Sequence, residues 1–370
     1  MKQKTKLIIA CVSKRVISFL LIALIFIGSF SCVVVSKKDL FINKKFQGEK
    51  AGVQGVLNLW LVSSFESGIA SKRSFIEKIA IDFEKKYKGC YILVSVLSED
   101  EYDLRINSQS PDIVCFSGNM GKKVEKNLCE LEDNREIKTC LINSSKKNGV
   151  ELYAYPWAIG GYALISSRSR IKRTSLGDVE NVNLFSNIYN LGYEKTNKKS
   201  KKMVYSLAFG IKNKNNPLSV IYNESIIKGI VLNKLQNSFS EDYQNWTSYN
   251  AYESWVRGDS VILLGSQRDL ARIQTREQQG KESDFFIEFM SNYTDLVDYI
   301  GVVENSNPEK KELSRMFSKF IVNQESQKKL NKIGLFSVLN LDLQLYNDVY
   351  FSKMEKSLQY LNLVPNIFDI

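Results

Sequence analysis

The sequence contains no histidine, and this absence removes several kinds of catalytic and metal site. Ser-His-Asp and Cys-His nucleophile systems need an imidazole base, and most zinc sites need imidazole ligands. Cysteine is scarce, because the 370 residues include only six, and no two of them form a C-x-x-C pair. Zinc binding and a thioredoxin-type redox motif are therefore disfavoured, and we expect neither a metal nor a cofactor.

Four of the cysteines are expected to have structural places. Cys90 and Cys115 fall in strand-like apolar runs and are expected to be small buried hydrophobic residues. A disulfide between Cys129 and Cys140 is compatible with a location outside the cytoplasm, but the sequence alone leaves it open.

The net charge of +11 comes mostly from the start of the chain. The first 50 residues carry ten Lys or Arg against only two Asp or Glu, so the rest is close to neutral. A basic footprint for nucleic acid is therefore not supported, and no nucleic-acid partner is expected.

The first 36 residues have the pattern of a targeting or anchoring segment. Met1–Arg15 is basic, and Val16–Val35 is an uncharged, mostly apolar run, long enough for the ~20 residues that cross a bilayer. A cleaved signal peptide, a retained span and a lipid on Cys32 after Ser29-Phe30-Ser31 are the three alternatives. Each places the body of the protein outside the cytoplasm, and the basic flank favours an N-in orientation. The predicted location is the outer face of the cell membrane, with the protein anchored there.

Residues 56–116 alternate between apolar strand-like runs and a helical pattern. From Ser71 to Tyr87 apolar side chains recur at helical spacing, and Gly89 marks the stop. This order predicts a parallel sheet covered by helices, with ligands at the carboxyl ends of the strands. The loops at such ends are Ser64–Gly68 and Phe116–Asn119, and the strands are Val56–Ser63, Tyr91–Leu97 and Pro111–Phe116.

The stretch Leu152–Ser167, LYAYPWAIGGYALISS, has the features of a joint between two compact units. Pro156 restricts the backbone, and Gly160-Gly161 gives torsional freedom directly before the strand-like run Tyr162–Ile165. A single strand with a bulge at the glycines is the alternative.

These segments occur in an order that resembles a known family. The strand and loop NLWLVSSFES precede the helix FIEKIAIDFEKKYKG, then the strand PDIVCFSG, then the joint at Gly160-Gly161. The order and spacing resemble the extracytoplasmic solute-binding proteins of ABC importers, of the carbohydrate-binding class that includes maltose-binding protein. Val261–Arg268 and Gln324–Ser337 resemble later segments of the same family, so the resemblance spans residues 56–340.

The resemblance implies an α/β fold of the periplasmic-binding-protein type II architecture. Two lobes would each contain a parallel-rich sheet covered by helices, with a hinge at Gly160 and Gly161 between them. The expected division of the chain is a signal peptide or membrane anchor at 1–36, a polar tether at 37–52, a first lobe at 53–158 and 297–345, and a second lobe at 162–292 and 346–370.

The resemblance also implies ligand contacts. Phe65, Glu66, Phe116 and Asn119 stand at the motif ends that contact ligands in the family. Two further ligand contacts, Trp157 and Trp246, are predicted from their surroundings: one stands beside the hinge, and the other lies in an aromatic stretch. For each aromatic residue, a place in the hydrophobic core is the alternative. Trp60 and Trp255 are assigned to the core.

Gln267 and Arg268 complete the predicted ligand site. They stand where the family often has an aromatic residue, which would stack on a sugar ring, so this chain departs from the pattern here. An arginine at this position also suits an anionic ligand.

The predicted function is therefore binding without catalysis. The protein would capture a small solute, a carbohydrate by resemblance, by hinge closure and deliver it to the membrane subunits of an ABC permease. The alternative is a membrane-tethered extracytoplasmic enzyme or ligand-sensing domain. Paired carboxylates would suit glycoside hydrolysis, but no motif fixes such a pair in this sequence.

Overall fold

The computed structural model describes residues 50–188, 191, 193–197, 200–209, 219–228, 247–304, 307–340 and 344–369. The predicted leader with Cys32, most of the tether and Trp246 lie outside these residues. The strands are β1 Lys50–Val62, β2 Lys88–Val96, β3 Ile113–Ser117, β4 Lys146–Lys147, β5 Glu151–Leu152, β6 Tyr155–Ile159, β7 Tyr162–Ser167, β8 Tyr193–Asn197, β9 Ser200–Phe209, β10 Ser260–Ser266, β11 Phe285–Phe289 and β12 Val297–Val302. The helices are α1 Lys72–Lys86, α2 Glu99–Arg105, α3 Gly121–Val124, α4 Thr139–Asn143, α5 Arg168–Ile171, α6 Ser219–Lys228, α7 Ser248–Arg257, α8 Gln267–Gln278, α9 Pro308–Ile321, α10 Gln324–Gln327 and α11 Val349–Ser357.

Two five-stranded sheets form the framework, and we call the parts built on them the first and second lobes. The first sheet has the order β2-β1-β3-β12-β6, and the second has the order β11-β7-β10-β9-β8. The parallel ladders are β1 with β2 and β3, and β9 with β10. β12 is antiparallel to β3 and β6, because it enters the sheet from the edge at which β3 and β6 end.

Helices α1 and α9 cover the first sheet with their apolar faces. The side chain of Ser71 caps α1 by accepting the backbone N–H of Ser74 at 3.1 Å. Phe83 of α1 meets Phe317 of α9 edge to face, with ring centroids 5.3 Å apart. Burial of each such side chain contributes about 1.5–3 kcal/mol, so this layer fixes the strands whose ends carry the predicted loops.

The second lobe is built around β10 and helix α7. Trp255 of α7 is fully buried, and its indole N–H donates to the carbonyl of Val261 at 3.1 Å. Trp60 of the first lobe is also buried, so the assignment of these two tryptophans to the core is confirmed. Gly258 ends α7 in the left-handed conformation.

The chain passes between the sheets twice through segments that touch each other. It leaves the first sheet after β6 and enters the second with β7, so Gly160 and Gly161 lie between the sheets. It returns between β11 and β12. The Gly160 N–H donates to the Leu296 carbonyl at 2.7 Å, and the Thr294 hydroxyl donates to the Gly160 carbonyl at 2.9 Å.

The two glycines are required by space rather than by torsion. Neither has a positive φ, so the backbone conformation in this structure does not itself require glycine. A Cβ on Gly160 would lie 2.5 Å from Gln267 Oε1, and a Cβ on Gly161 would lie 2.9 Å from Met354 Sδ. The close approach of these side chains to the backbone is what excludes a larger residue.

The C-terminal segment contacts both lobes. Helix α11 packs against α8 and β11 of the second lobe. Beyond it, the Ile367 N–H donates to the Ser144 carbonyl at 2.9 Å, and the Phe368 ring meets that of Tyr153 in the first lobe. The end of the chain, expected from the sequence to lie in the second lobe, therefore reaches the first.

Cys129 and Cys140 are both free, which corrects the disulfide alternative. The Cys129 thiol donates to Glu304 Oε2 at 3.0 Å, and the Cys140 thiol donates to the Leu361 carbonyl at 3.3 Å. Each thiol is thus oriented toward a different partner.

Candidate functional site

Strands of both sheets end at the edges where the crossings lie. Ser117 at the end of β3 pairs with Asp298 at the start of β12, and Ser266 at the end of β10 pairs with Tyr162 at the start of β7. The loop 63–68 after β1 and the first turn of α8 after β10 therefore meet beside the crossings. We call this meeting surface the seam.

A buried ion pair supports the loop on the first-lobe side of the seam. Lys72 Nζ lies 2.6 Å from Asp298 Oδ2, and the two side chains are 5% and 1% exposed. The Ser117 hydroxyl donates to Asp298 Oδ1 at 2.7 Å and accepts the Ser64 backbone N–H at 3.0 Å. Lys72 also donates to the Ser63 hydroxyl at 2.5 Å. The network ties the loop to the end of β3 and to the start of β12.

Burial dominates the electrostatics of this pair. It lowers the pKa of Lys72 to about 8, against the opposing effect of the Asp298 carboxylate. It raises the pKa of Asp298, against the opposing effects of Lys72 and Ser117. Lys72 Nζ also lies 3.1 Å from the centroid of the half-buried Phe65 ring, a cation–π contact that fixes the orientation of this ring in the loop.

Gln267 joins the loop to the first crossing across the seam. It is fully buried at the start of α8. Its Nε2 donates to the Glu66 carbonyl at 2.6 Å, and its Oε1 accepts the Gly161 N–H at 3.1 Å. Since both ends of the amide are engaged within the protein, Gln267 acts here as a strut between the lobes.

Two arginines of α8 face the same loop. Arg268 donates to the Gly68 carbonyl at 3.1 Å, and its Nε lies 3.7 Å from Glu66 Oε2. Arg272 lies 3.5 Å from the same Glu66 oxygen and 2.8 Å from Asp269 Oδ1. The seam therefore brings together the predicted residues Glu66, Arg268 and Gln267.

Asn119 lies on the first-lobe side of the seam. It is exposed, its Oδ1 accepts the Ser64 hydroxyl at 2.9 Å, and its Nδ2 donates to Glu99 Oε1 at 2.8 Å. Its position after β3 puts an amide beside the loop, as the strand-end argument predicts.

Phe116 and Trp157 lie in the hydrophobic core. Both are fully buried, and Phe116 stacks on Tyr299 with ring centroids 5.8 Å apart. Trp157 stacks on Phe75 with centroids 5.4 Å apart and an interplanar angle of 9°. This is the core placement considered for each aromatic residue, and ligand contact with either ring would require the core to open.

Three residues that form or support the seam were not predicted from the sequence. Asp298 carried a usable signal, because a carboxylate inside an otherwise apolar strand is unusual and needs a partner. Arg272 stands four residues after Arg268, so the two share one helix face. Lys72 directly follows the cap of α1, and nothing in its neighbours along the sequence marks it as buried.

A cavity of about 650 Å³ lies elsewhere on the first lobe, between α9 and the segment 130–155. Some of its polar groups are engaged within the protein: the Tyr155 hydroxyl donates to the Glu132 carbonyl at 2.6 Å, and Lys319 pairs with the Glu132 carboxylate at 2.7 Å. No predicted site residue lines it. Within the described part of the chain, no group of three or more cysteine and carboxylate side chains could hold a metal ion.

Comparison with known proteins gives matches in structure alone. No protein-family model matches the chain, and no curated protein matches it. Among solved structures, the sugar-binding protein MalE of Xanthomonas citri has a TM-score of 0.57 at 11% identity, covering 85% of this chain and 88% of that one. The GacH receptor of Streptomyces glaucescens, described unliganded and with acarbose, has a TM-score of 0.54 at 11% identity, with coverages of 85% and 88%.

Other solved structures extend the comparison to an enzyme. Thiaminase I of Bacillus thiaminolyticus has a TM-score of 0.53 at 11% identity, covering 84% of this chain and 95% of that one. Most of the structures that we compared are sugar-binding proteins. Identities this low show the fold alone. The chain therefore has the two-lobed α/β fold of type II periplasmic binding proteins, as its sequence predicted.

Proposed function

We propose that this chain is an extracytoplasmic solute-binding protein, which captures a small carbohydrate between its lobes and delivers it to an ABC permease. The observation that carries the proposal is the meeting of polar side chains from both lobes at the seam, Glu66 and Asn119 from the first and Arg268 from the second. A few convergent polar groups between two lobes are typical of small-molecule sites. The sugar-binding proteins that share the fold support the same function.

In this proposal the ligand lies against the loop after β1. The carboxylate and amide of Glu66 and Asn119 would take sugar hydroxyls, and the Phe65 ring would take an apolar sugar face. The crossings at Gly160–Gly161 and 290–296 would act as the hinge between a first lobe of 53–158 and 297–345 and a second lobe of 162–292 and the helix α11. Trp246 stays a prediction outside the described residues.

An enzyme is the second candidate, and the thiaminase with this fold is the observation that favours it. The free thiols of the described residues do not suit nucleophilic catalysis, because the thiolate is the reactive form. Burial raises the pKa of Cys129 to about 11 and raises the pKa of Cys115 well above its usual value. We therefore favour binding without turnover.

We infer that residues 1–36 place the protein outside the cytoplasm and hold it at the outer face of the membrane. A lipid on Cys32 and a retained span of Val16–Val35 are the two anchored forms of this proposal, and a cleaved signal peptide is the third form, which exports the protein without an anchor. No helix within the described ranges is long and apolar enough to cross a bilayer. The mass of the mature N-terminus distinguishes the three forms.

The binding proposal is tested by thermal unfolding of the full chain with a ligand panel. Maltotriose, mannotriose, acidic oligosaccharides, amino acids and thiamine are each added in large excess. A ligand at 100 times its Kd stabilises the folded state by about 2.7 kcal/mol, which raises the midpoint by a few degrees. We expect an oligosaccharide to do so without being consumed. Stabilisation by thiamine or an amino acid alone, or turnover of the ligand, would contradict the proposal.

A further inference from the structure

The seam contains two arginines that share one weakly held carboxylate. Arg268 and Arg272 stand one turn apart on α8, and both approach the same oxygen of Glu66. The separations of 3.7 and 3.5 Å are longer than the 2.7–2.9 Å typical of a charge-assisted hydrogen bond. The Nε atom of Arg268 is buried and has no hydrogen-bond partner among the described residues.

Other contacts hold the two arginines in place. Arg268 donates to the Gly68 carbonyl at 3.1 Å. Arg272 donates to Asp269 Oδ1 at 2.8 Å and lies over the ring of Tyr252, with Cζ 5.0 Å from the centroid. Asp269 is fully buried and accepts the Ser266 N–H at 3.0 Å, which anchors it to the start of α8. The guanidinium groups would therefore keep their positions if Glu66 moved away.

Glu66 is free to move, because its side chain is 57% exposed and stands in a loop. Its backbone, by contrast, is fixed by the bond from Gln267 to its carbonyl. An exposed ion pair of this kind adds little stability, so replacing it by another carboxylate costs little. A ligand carboxylate enclosed between the lobes would interact more strongly with the same arginines, because closure excludes water.

We propose that the ligand is an oligosaccharide bearing a carboxylate, a uronic-acid unit, whose carboxylate takes the place of Glu66 between Arg268 and Arg272. This inference rests on the proposed function, and it names the sugar class for the same site. A planar carboxylate matches the fork of an arginine, and it preserves the charge balance of the seam when Glu66 turns away from the two arginines toward a sugar hydroxyl. The arginine at position 268 thus has a role where an aromatic residue would have stacked on a neutral sugar.

The test uses calorimetric titration of the full chain with trigalacturonate, with its fully methyl-esterified form and with maltotriose. We expect trigalacturonate to bind, and to bind about tenfold more tightly than its neutral ester, a difference worth one charged hydrogen bond. Raising the salt concentration should weaken the acidic ligand selectively.

Variants connect the preference to the seam. Arg268→Gln should weaken trigalacturonate about tenfold and leave the ester nearly unchanged, and Arg268→Lys should recover part of the loss. Glu66→Gln removes the competing carboxylate and should tighten trigalacturonate. Arg257→Gln, which removes an exposed charge at the end of α7, is the matched control and should change neither affinity. Thermal unfolding checks that each variant is folded.

The outcomes separate the two proposals. Equal affinity for the acid and its ester, or an equal loss of both in Arg268→Gln, would overturn the carboxylate inference while sugar binding stands. Tight binding of maltotriose alone would do the same. If no sugar binds to the folded chain, or a free acid such as citrate binds in preference, the carbohydrate function itself is overturned.

Discussion

At the scale of single residues, the important pair is Lys72 and Asp298. Their opposite charges are removed from water at the base of a candidate binding loop. Each is only slightly exposed, and their contact of 2.6 Å is supported by hydroxyls of Ser63 and Ser117. Desolvation of such a pair offsets most of its attraction, so the pair adds little net stability. Its effect is instead on geometry: it fixes the Phe65 ring and ties the loop to the start of β12.

Removal of one partner alone should therefore be more costly than removal of both. We expect Lys72→Met or Asp298→Asn to lower the free energy of unfolding by about 3–5 kcal/mol, since each leaves an uncompensated buried group. The double variant should lose clearly less than the sum of the singles. Urea unfolding measures all three.

The neighbouring pair Arg73 and Glu77 is the control for this cycle. Its contact of 2.7 Å is nearly as short, but the side chains are 59% and 43% exposed. Its variants should change stability by about 1 kcal/mol or less. Additive losses in Lys72→Met and Asp298→Asn would mean that the two charges act independently.

At the scale of elements, the order of strands and helices could be predicted, whereas much of the site could not. Apolar periodicity reports which face of an element is buried, so the strands around Val56–Ser63 and Tyr162–Ile165 were recognisable. It does not report which aromatic residues at strand ends are covered by other elements. Phe116 and Trp157 are covered by residues distant in sequence, so their place in the core depends on tertiary packing.

The glycines of the first crossing illustrate the same limit. Gly161 was recognisable as part of a joint, but the reason for a glycine there is Met354, almost two hundred positions along the chain. The side chain of α11 touches the backbone of the crossing, and no local pattern announces it. The joint could therefore be predicted from the local sequence, whereas the reason for its glycines lies in a tertiary contact.

Enlargement of Gly161 should be destabilising and should be relieved by its neighbour. A Cβ at Gly161 would approach Met354 Sδ to 2.9 Å, so we expect Gly161→Ala to cost about 1–3 kcal/mol through overpacking. In a chain that already carries Met354→Ala, the same Gly161→Ala substitution should cost less than it does in the parent. Denaturant unfolding of the four chains measures the coupling.

Gly118 provides a control at the end of β3. A Cβ there would meet Ile367 at 3.5 Å, an ordinary contact, so Gly118→Ala should be tolerated. A loss in Gly118→Ala as large as in Gly161→Ala would show that the crossing is no more crowded than other glycine positions.

At the scale of the whole molecule, the lobes are joined by the paired crossings, the C-terminal segment and the contacts of the seam. The crossings are covalent connections and α11 is deeply packed, whereas the contacts of the seam are side-chain hydrogen bonds. Gln267 provides two of these, to the Glu66 carbonyl and to the Gly161 N–H. A ligand that enters between the lobes must compete with contacts of this kind, so their strength sets how often the ligand-free protein opens.

Gln267→Leu should therefore shift the ligand-free protein toward an open form. Leucine nearly preserves the volume but makes neither hydrogen bond, and each lost bond is worth about 1 kcal/mol. A change of one to two kcal/mol alters a two-state ratio about 5- to 30-fold, which is measurable if the open form is already a minor population. Small-angle X-ray scattering of the full chain should give a larger radius of gyration for the variant than for the parent, and an added binding sugar should reduce the difference.

The control is Gln278→Leu, which changes an exposed glutamine at the end of the same helix and should leave the scattering unchanged. Identical scattering for the parent and Gln267→Leu, with the variant still folded, would mean that the deeply packed joints alone hold the lobes together.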